Sequence, residues 1–338
     1  MAVKLTDIAR ETGMATSSVA DVLRGRPGYS PETRKRILDA AERLNYVPNN
    51  LARSLLKQRS NTIGIAAHLS QTSLLGPTLD AIADGLLKRG FMPLICAPSA
   101  ASEGIKNAIR ELRGRSVDGI IFAPNSVDTN FRQIIPVDLP CVLIGDLISS
   151  QWPCVISDRA QAIAAGVQWL TKLGHKRIAF LGVGNAEALN SSPNNTTRLK
   201  ILGYSTAMKR AGLFDESLIL DSEDHRPGYV RKYVASNPKL FSNITAILAG
   251  NDRIAVEVMG GLADLGLNVP GDCSVLGFDD SEFASAVRPS LTTFDPRRAE
   301  VGQFAVNMIL DLLDGKPTKS VTLIPRLIER ESTRALNV

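Results

Sequence analysis

The chain opens on a helical rhythm. Leu5, Ile8, Ala9 and Thr12 fall at i, i+3, i+4 and i+7, one face of a helix over residues 5–12. Gly13 supplies a turn, and the rhythm resumes with Val19, Val22 and Leu23 on a buried side. Two short helices joined by a tight glycine-containing turn predict a helix-turn-helix. The opposite face of the second helix gathers Thr16, Ser17, Ala20, Asp21 and Arg24, and its small hydroxylated groups allow close approach to base edges and phosphates. "SPETRKRILDAAERLNY" predicts a third helix. Ser30 is its N-cap, Pro31 fits the first helical position and Glu32 complements the dipole. Ile37, Ala40, Ala41 and Leu44 form its core stripe, leaving Arg34, Lys35 and Arg36 outside. Pro48 breaks the pattern, and Asn49 or Asn50 then caps a short segment carrying Leu51, Ala52, Leu55 and Leu56. That segment is shorter than the roughly 12–15 residues an isolated helix needs in water, so it is expected to order only against a partner.

From Asn61 onward the period changes. Apolar runs "TIGIAAHL", "FMPLICA", "DGIIFAP", "PCVLIG", "RIAFLGV", "TAILAG" and "SVLGFD" alternate with helical spacing over residues 77–89, 103–113, 160–173, 198–211, 252–265 and 297–313. Short unalternating strands separated by helices imply parallel sheets covered on both faces. They are too many for one ordinary sheet, so two doubly wound lobes are expected, the second beginning near Asp158. The fold class is therefore α/β, an all-α helix-turn-helix head followed by a core of two lobes, each a doubly wound parallel sheet.

A length of 338 residues fits more than one domain. The net charge of +5 sits wholly in residues 1–60, where eleven Lys/Arg face six Asp/Glu, and the remainder is neutral. That asymmetry suits a nucleic-acid-binding head on a neutral body. The four cysteines, Cys96, Cys141, Cys154 and Cys273, form no CxxC pair and read as free thiols in a reducing compartment rather than disulfides or metal ligands. No charged start is followed by an apolar run, and no apolar stretch approaches the roughly 18 residues of a membrane helix, which points to a cytoplasmic protein.

"LTDIARETGMATSSVADVLRG" and "YSPETRKRILDAAERLNYVPNNLARSLLKQRSNTIGI" resemble the DNA-binding head and hinge of the lactose-repressor (LacI/GalR-type) family over residues 5–65. The resemblance implies a recognition helix in the major groove and two hinge helices paired in the minor groove, with Leu55 as the wedge that opens a base step and Leu51 and Ala52 at the helix pair. It places DNA contacts on Thr16, Ser17, Ser18, Asp21, Arg24, Tyr29, Ser30, Thr33, Arg34, Asn49, Asn50, Ala52, Arg53 and Leu55. Asp21 is the odd member, because a carboxylate only accepts hydrogen bonds. It either reads cytosine N4 or adenine N6, or it turns away to pair with Arg24 or Arg26. Lys4 stands where many relatives have a capping threonine, leaving Thr6 as the alternative cap.

"WLTKLGHKRIAFLG", "TAILAGNDRIAVEVMGGLADLGLNVPGDCSVLGFDDSEFASAVRPSLTTFDP" and "IPRLIERESTR" are similar to the same family's effector-binding core, a periplasmic-binding-protein-like pair of lobes. The implied boundaries are 1–47 for the head, 48–60 for hinge helix and linker, and 61–338 for the core. The first lobe would hold about 61–157 and 291–319 and the second about 158–290 and 320–335, with the last two crossings near 288–291 and 318–322. Ligands in such folds sit beyond the carboxyl ends of strands. Asp279 and Asn251 end strands and resemble family ligand contacts, with turn capping as the plainer alternative. Lys200 stands where relatives carry an effector-gripping arginine, and it lacks the planar fork. Asp146, Thr72 and Ser73 are further candidates, from the first lobe. No aromatic precedes Tyr229 in "DSEDHRPGY", so no sugar is named.

Enzyme signatures are absent. G-x-x-x-x-G-K-[ST], G-x-S-x-G and H-E-x-x-H do not occur, and His68, His175 and His225 show no ligand spacing. His175 reads as a structural residue at a helix end. The expected function is a transcriptional regulator, a repressor rather than an enzyme, without metal or cofactor. It would bind double-stranded DNA at a near-palindromic operator as a homodimer, under a small-molecule effector. The rival class, a solute-binding protein of a transporter, would need an export signal and no basic head.

Overall fold

The computed structural model describes residues 3–47, 59–67, 72–97, 102–123, 135, 138–145, 151–190, 195–222, 224 and 226–336, side chains excepted at 72–74, 102, 103, 186 and 188. The chain divides into two compact units, Met1–Ser60 and Asn61–Val338. The head carries α1 Leu5–Thr12, α2 Thr16–Leu23 and α3 Pro31–Arg43. The core continues with β1 Thr62–Ala67, α4 Thr72–Leu87, β2 Met92–Cys96, α5 Ser102–Gly114, β3 Gly119–Ala123, β4 Cys141–Gly145 and β5 Cys154–Ser157. Next come α6 Arg159–Lys172, β6 Ile178–Gly182, α7 Asn185–Leu189, α8 Thr196–Arg210, β7 Ile219–Asp221, α9 Tyr229–Ala235 and α10 Pro238–Phe241. The chain closes with β8 Ala246–Ala249, α11 Asp252–Asp264, β9 Ser274–Leu276, α12 Glu282–Ala286, β10 Thr293–Asp295, α13 Arg298–Leu313, β11 Val321–Leu323 and β12 Arg326–Ile328.

In the head, Ile8, Val19, Val22, Ile37 and Ala40 meet in one core, each Ile or Val side chain contributing roughly 1.5–3 kcal/mol by leaving water. Gly13 ends α1 at φ 64°, a left-handed conformation that a residue without Cβ adopts at little cost. Arg36 reaches across from α3 to the Thr12 carbonyl at 2.8 Å and locks the turn. The start of α1 differs from expectation. Thr6 lies inside the first turn, and the Asp7 carboxylate accepts the Lys4 N–H at 2.9 Å, so an acidic side chain closes this end without a hydroxyl cap.

The core holds two parallel sheets, ordered β11-β5-β4-β3-β1-β2 and β7-β6-β8-β9. On the first, Ile82 and Leu86 of α4 and Val306 and Ile309 of α13 cover one face, while Ile105, Ile109 and Leu112 of α5 cover the other. On the second, α6 and α8 cover one face through Ile163, Val167, Ile201 and Tyr204, and Val230, Val234, Ile254 and Val258 of α9 and α11 cover the other. Strands β3, β6 and β8 are buried at every position, the reason their sequences show no alternation. Both lobes are thus doubly wound.

The last two crossings fall later in the chain than 288–291 and 318–322. Phe294 packs in the second lobe's core beside Phe278, and β10 pairs antiparallel with β12, so the chain leaves that lobe only after Asp295. Strand β11 pairs with β5 at the edge of the first lobe's sheet, and the return follows Leu323. Residues 291–295 therefore belong with the second lobe, and 321–323 with the first. Burial of Phe294 and three ladder pairs decide the first placement, and three ladder pairs with β5 decide the second.

Candidate functional site

Two places gather polar chemistry. In the head, α2 buries Val19 and Val22 and leaves Thr16 and Ser17 exposed, with Ser18 and Asp21 half-buried beside them. Its N-cap, Ala15, offers no side-chain acceptor, so the first N–H groups of the helix remain open to an anion. The loop after α2 folds back on it. The Asp21 carboxylate takes Arg26 Nη1 at 3.0 Å and the Tyr29 hydroxyl at 3.4 Å. Of the two arginines weighed as partners for Asp21, Arg26 is the one in contact, and Arg24 is exposed at the end of α2. Ser30 Oγ accepts the Thr33 N–H at 3.1 Å and donates to the Thr33 hydroxyl, capping α3, while Arg34 donates to the Arg26 carbonyl at 2.7 Å. The fold thus links Asp21 with Tyr29, and Ser30 with Thr33, on the segment from α2 into α3. Asn49, Asn50, Ala52, Arg53 and Leu55 lie outside the described residues, as do Leu51 and Leu56.

In the core, charged side chains collect where the strands of the second lobe end. Lys200, on α8, is 6% exposed. Its Nζ donates to the Gly250 carbonyl at 2.6 Å and lies 4.0 Å from the centre of the Phe278 ring. Burial pushes this ammonium down to about 8; Asp279 works in the opposite direction and Arg159 adds to the fall. Asp279 follows β9 in a left-handed conformation, φ 117°, that a non-glycine residue holds only under constraint. The constraint is Arg298, whose Nη2 donates to Asp279 Oδ1 at 3.0 Å and whose Nη1 donates to the Asp279 carbonyl. Arg298 opens α13, a helix of the first lobe, so this pair ties the two lobes together. Arg159 opens α6 nearby, half-buried, and burial pushes its guanidinium down to about 10, with Asp279 opposing and Arg298 assisting.

Asn251 Oδ1 accepts the Ile254 N–H at 2.9 Å and caps α11, so its oxygen performs the capping role weighed as the plainer alternative. The adjacent Asp252 is 1% exposed and takes the Thr293 hydroxyl at 2.5 Å and the Ser281 N–H at 2.7 Å. Burial pushes its carboxyl up to about 6, held back by those two bonds. A Cβ at Gly277 would strike Asp252 Oδ1, so this close approach needs glycine there. At the ends of β6 and β7, Asn185 Oδ1 and Ser222 Oγ are buried with no hydrogen-bond partner among the described residues. Thr72 and Ser73 occupy the first turn of α4, their side chains undescribed, and Asp146, His68 and His225 lie outside the described residues. His175 is buried after α6, its ring Nε2 3.1 Å from the Arg334 carbonyl, and burial lowers its pKa.

Sequence reasoning missed Arg159, Arg298 and Asp252. Arg298 lies two positions past "FDP", a strand end and a proline, and that break was its available signal. Arg159 and Asp252 each adjoin a helix cap, Asp158 and Asn251, and stood in the shadow of it. Among the described residues there is no cluster of metal-type ligands, and no helix is long and apolar enough to cross a membrane.

A helix-turn-helix head with an exposed hydroxyl face, on a two-lobed core with charged groups at its strand ends, defines the class of ligand-responsive DNA-binding regulators. Residues 4–49 match the family described as bacterial regulatory proteins, lacI family, and residues 167–333 match the periplasmic binding protein-like domain. Catabolite control protein A of Priestia megaterium is 30% identical over 342 residues, covering 99% of this chain and 100% of that one. The HTH-type transcriptional repressor PurR of Vibrio vulnificus is 27% identical, with 98% and 99% covered. The lac repressor dimer bound to operator and the anti-inducer ONPF superposes with a TM-score of 0.86 at 25% identity, covering 99% and 100%. The chain belongs to the lacI family of bacterial regulatory proteins. It is a DNA-binding transcriptional regulator, and its relatives are regulators rather than enzymes.

Proposed function

We propose that the protein represses transcription in the cytoplasm as a homodimer on a near-palindromic operator, with a small-molecule effector between the lobes of its core setting its affinity for DNA. It does so without catalysis, metal or cofactor. One observation carries this reading. A chain similar end to end to catabolite control protein A joins an exposed Thr16–Ser17 face in a basic head to buried charged groups at the strand ends of a two-lobed core. Two heads read two half-sites because protein symmetry is mirrored in the DNA. Thr16, Ser17 and Asp21 face bases, while Ser18, Arg24, Tyr29, Ser30, Thr33 and Arg34 hold phosphates. Asn49, Asn50, Ala52, Arg53 and Leu55 form the hinge contact in the minor groove, Leu55 unstacking a base step. Lys200, Asn251 and Asp279, together with Asp146, Thr72 and Ser73, hold the effector. Ligand and DNA are then linked reciprocally, typically by about 1–3 kcal/mol.

Fluorescence anisotropy of the full chain on its own upstream DNA tests this. Specific binding should fall steeply with salt, because several phosphates are neutralised. Equal, weak binding to unrelated DNA at low salt would overturn the reading.

A further inference from the structure

The chemistry of the cleft narrows the class of effector, and this step rests on the reading above that the cleft is the effector site. Lys200 is the unusual group there. An ammonium carries three donors, and one meets a neutral carbonyl, that of Gly250, while the Phe278 ring covers another side. No carboxylate among the described residues lies within ion-pair distance of its Nζ. The nearest acidic groups are already engaged. Asp279 Oδ1 and its carbonyl hold Arg298, and both oxygens of Asp252 are taken by Thr293 and Ser281. Arg159 adds a further cation within electrostatic reach. A buried cation with no carboxylate in direct contact is disfavoured, and a charge-assisted bond to an oxyanion is the strongest remedy available to it. A neutral polyol, which could still reach Asp279 Oδ2, would bring the ammonium no anionic partner.

We infer that the effector carries an oxyanion, a carboxylate or a phosphate, seated on Lys200 Nζ with Arg298 and Arg159 flanking it. Burial lowers the pKa of Lys200, with Asp279 opposing, so an anion in direct contact would favour its charged form.

The test is the melting of the full chain at matched ionic strength in chloride, inorganic phosphate, D-gluconate and D-glucose. Phosphate or gluconate should raise the melting temperature saturably by several degrees, and chloride and glucose should not. A response to phosphate marks a phosphorylated effector and a response to gluconate a carboxylate. Lys200→Met should weaken that response at least tenfold, while the exposed control Lys176→Met should respond as the wild type. Since a variant can fail for other reasons, crystals of the wild type soaked in sodium selenate give an independent reading. An anomalous peak within hydrogen-bond distance of Lys200 Nζ supports the inference, and peaks elsewhere or none overturn it. A Lys200-dependent shift with glucose alone overturns the anionic class and keeps the cleft as the effector site. An anion that stabilises the core through Lys200 yet leaves operator anisotropy unchanged keeps the anion site and overturns the regulatory reading.

Discussion

The molecule contains two aspartate–arginine pairs of the same length in opposite surroundings. Asp21 and Arg26 meet at 3.0 Å in the head, their side chains 27% and 63% exposed. Asp279 and Arg298 meet at 3.0 Å in the core, at 11% and 14%. Distance does not distinguish them, but solvent does. A pair in water gives about 0–1 kcal/mol and is readily exchanged for another partner. A desolvated pair costs several times more to break, because the survivor is left as an uncompensated charge. The first therefore fits the proposed role of Asp21 at DNA, in which its carboxylate would leave Arg26 for a base edge. The second is suited to a joint between lobes, which a ligand disturbs only by supplying comparable interactions.

Breaking the core pair should have the largest effect. Asp279→Ala leaves Arg298 nearly buried without its carboxylate, and the second lobe should lose roughly 3–5 kcal/mol in urea unfolding followed by Trp169 fluorescence. A loss below 1 kcal/mol would place the core pair with the surface one.

Removing the lone ammonium should act in the other direction. With the Lys200 pKa moved from 10.5 to about 8, its burial opposes folding by roughly 3 kcal/mol below pH 8, so Lys200→Met should stabilise the core by about that much at pH 7 in chloride. The sign with pH follows from proton counts. Between pH 8 and 10.5 the unfolded chain keeps the proton that the folded chain has released, so wild-type stability should climb through that window. The variant should stay flat there and lose its advantage by pH 10.5. A pH-independent advantage would assign the gain to packing.

Smaller effects belong to the head. Ser30→Ala removes the cap of α3 and should cost about 1 kcal/mol in hydrogen exchange of that helix. Asp21→Ala should change stability by less than about 1 kcal/mol and relax base preference at one operator position. Uniformly weaker binding across operator variants would instead confine Asp21 to its contacts with Arg26 and Tyr29.

The same contrast of burial explains what could be read in the sequence. The helices of the head and the central strands β1, β3, β4, β6 and β8 were legible because they are long enough, or apolar enough, to impose a period or a run. Strands β7, β10, β11 and β12 have three residues each and carry no such signal. Their pairing comes from tertiary placement of Phe294 and of the chain ends, which is why the last two crossings were expected too early. Lys200 and Asp279 were singled out by sequence position, and the fold sets both where strands of the second lobe end, but their electrostatic condition had no sequence signal. That Asp279 is held by Arg298 from the other lobe depends on a contact between residues 19 apart that no local pattern encodes. Arg26, in the loop five positions after Asp21 of α2, was within reach of sequence reasoning and was one of two choices considered.

The most direct measurement is a pair of double-mutant cycles, Asp279→Ala with Arg298→Ala and Asp21→Ala with Arg26→Ala, read by amide hydrogen exchange in the second lobe and in the head. The expected coupling is about 2 kcal/mol or more for the core pair and under about 1 kcal/mol for the head pair. Equal couplings would contradict the assignment of one pair to a joint and the other to an exchangeable contact.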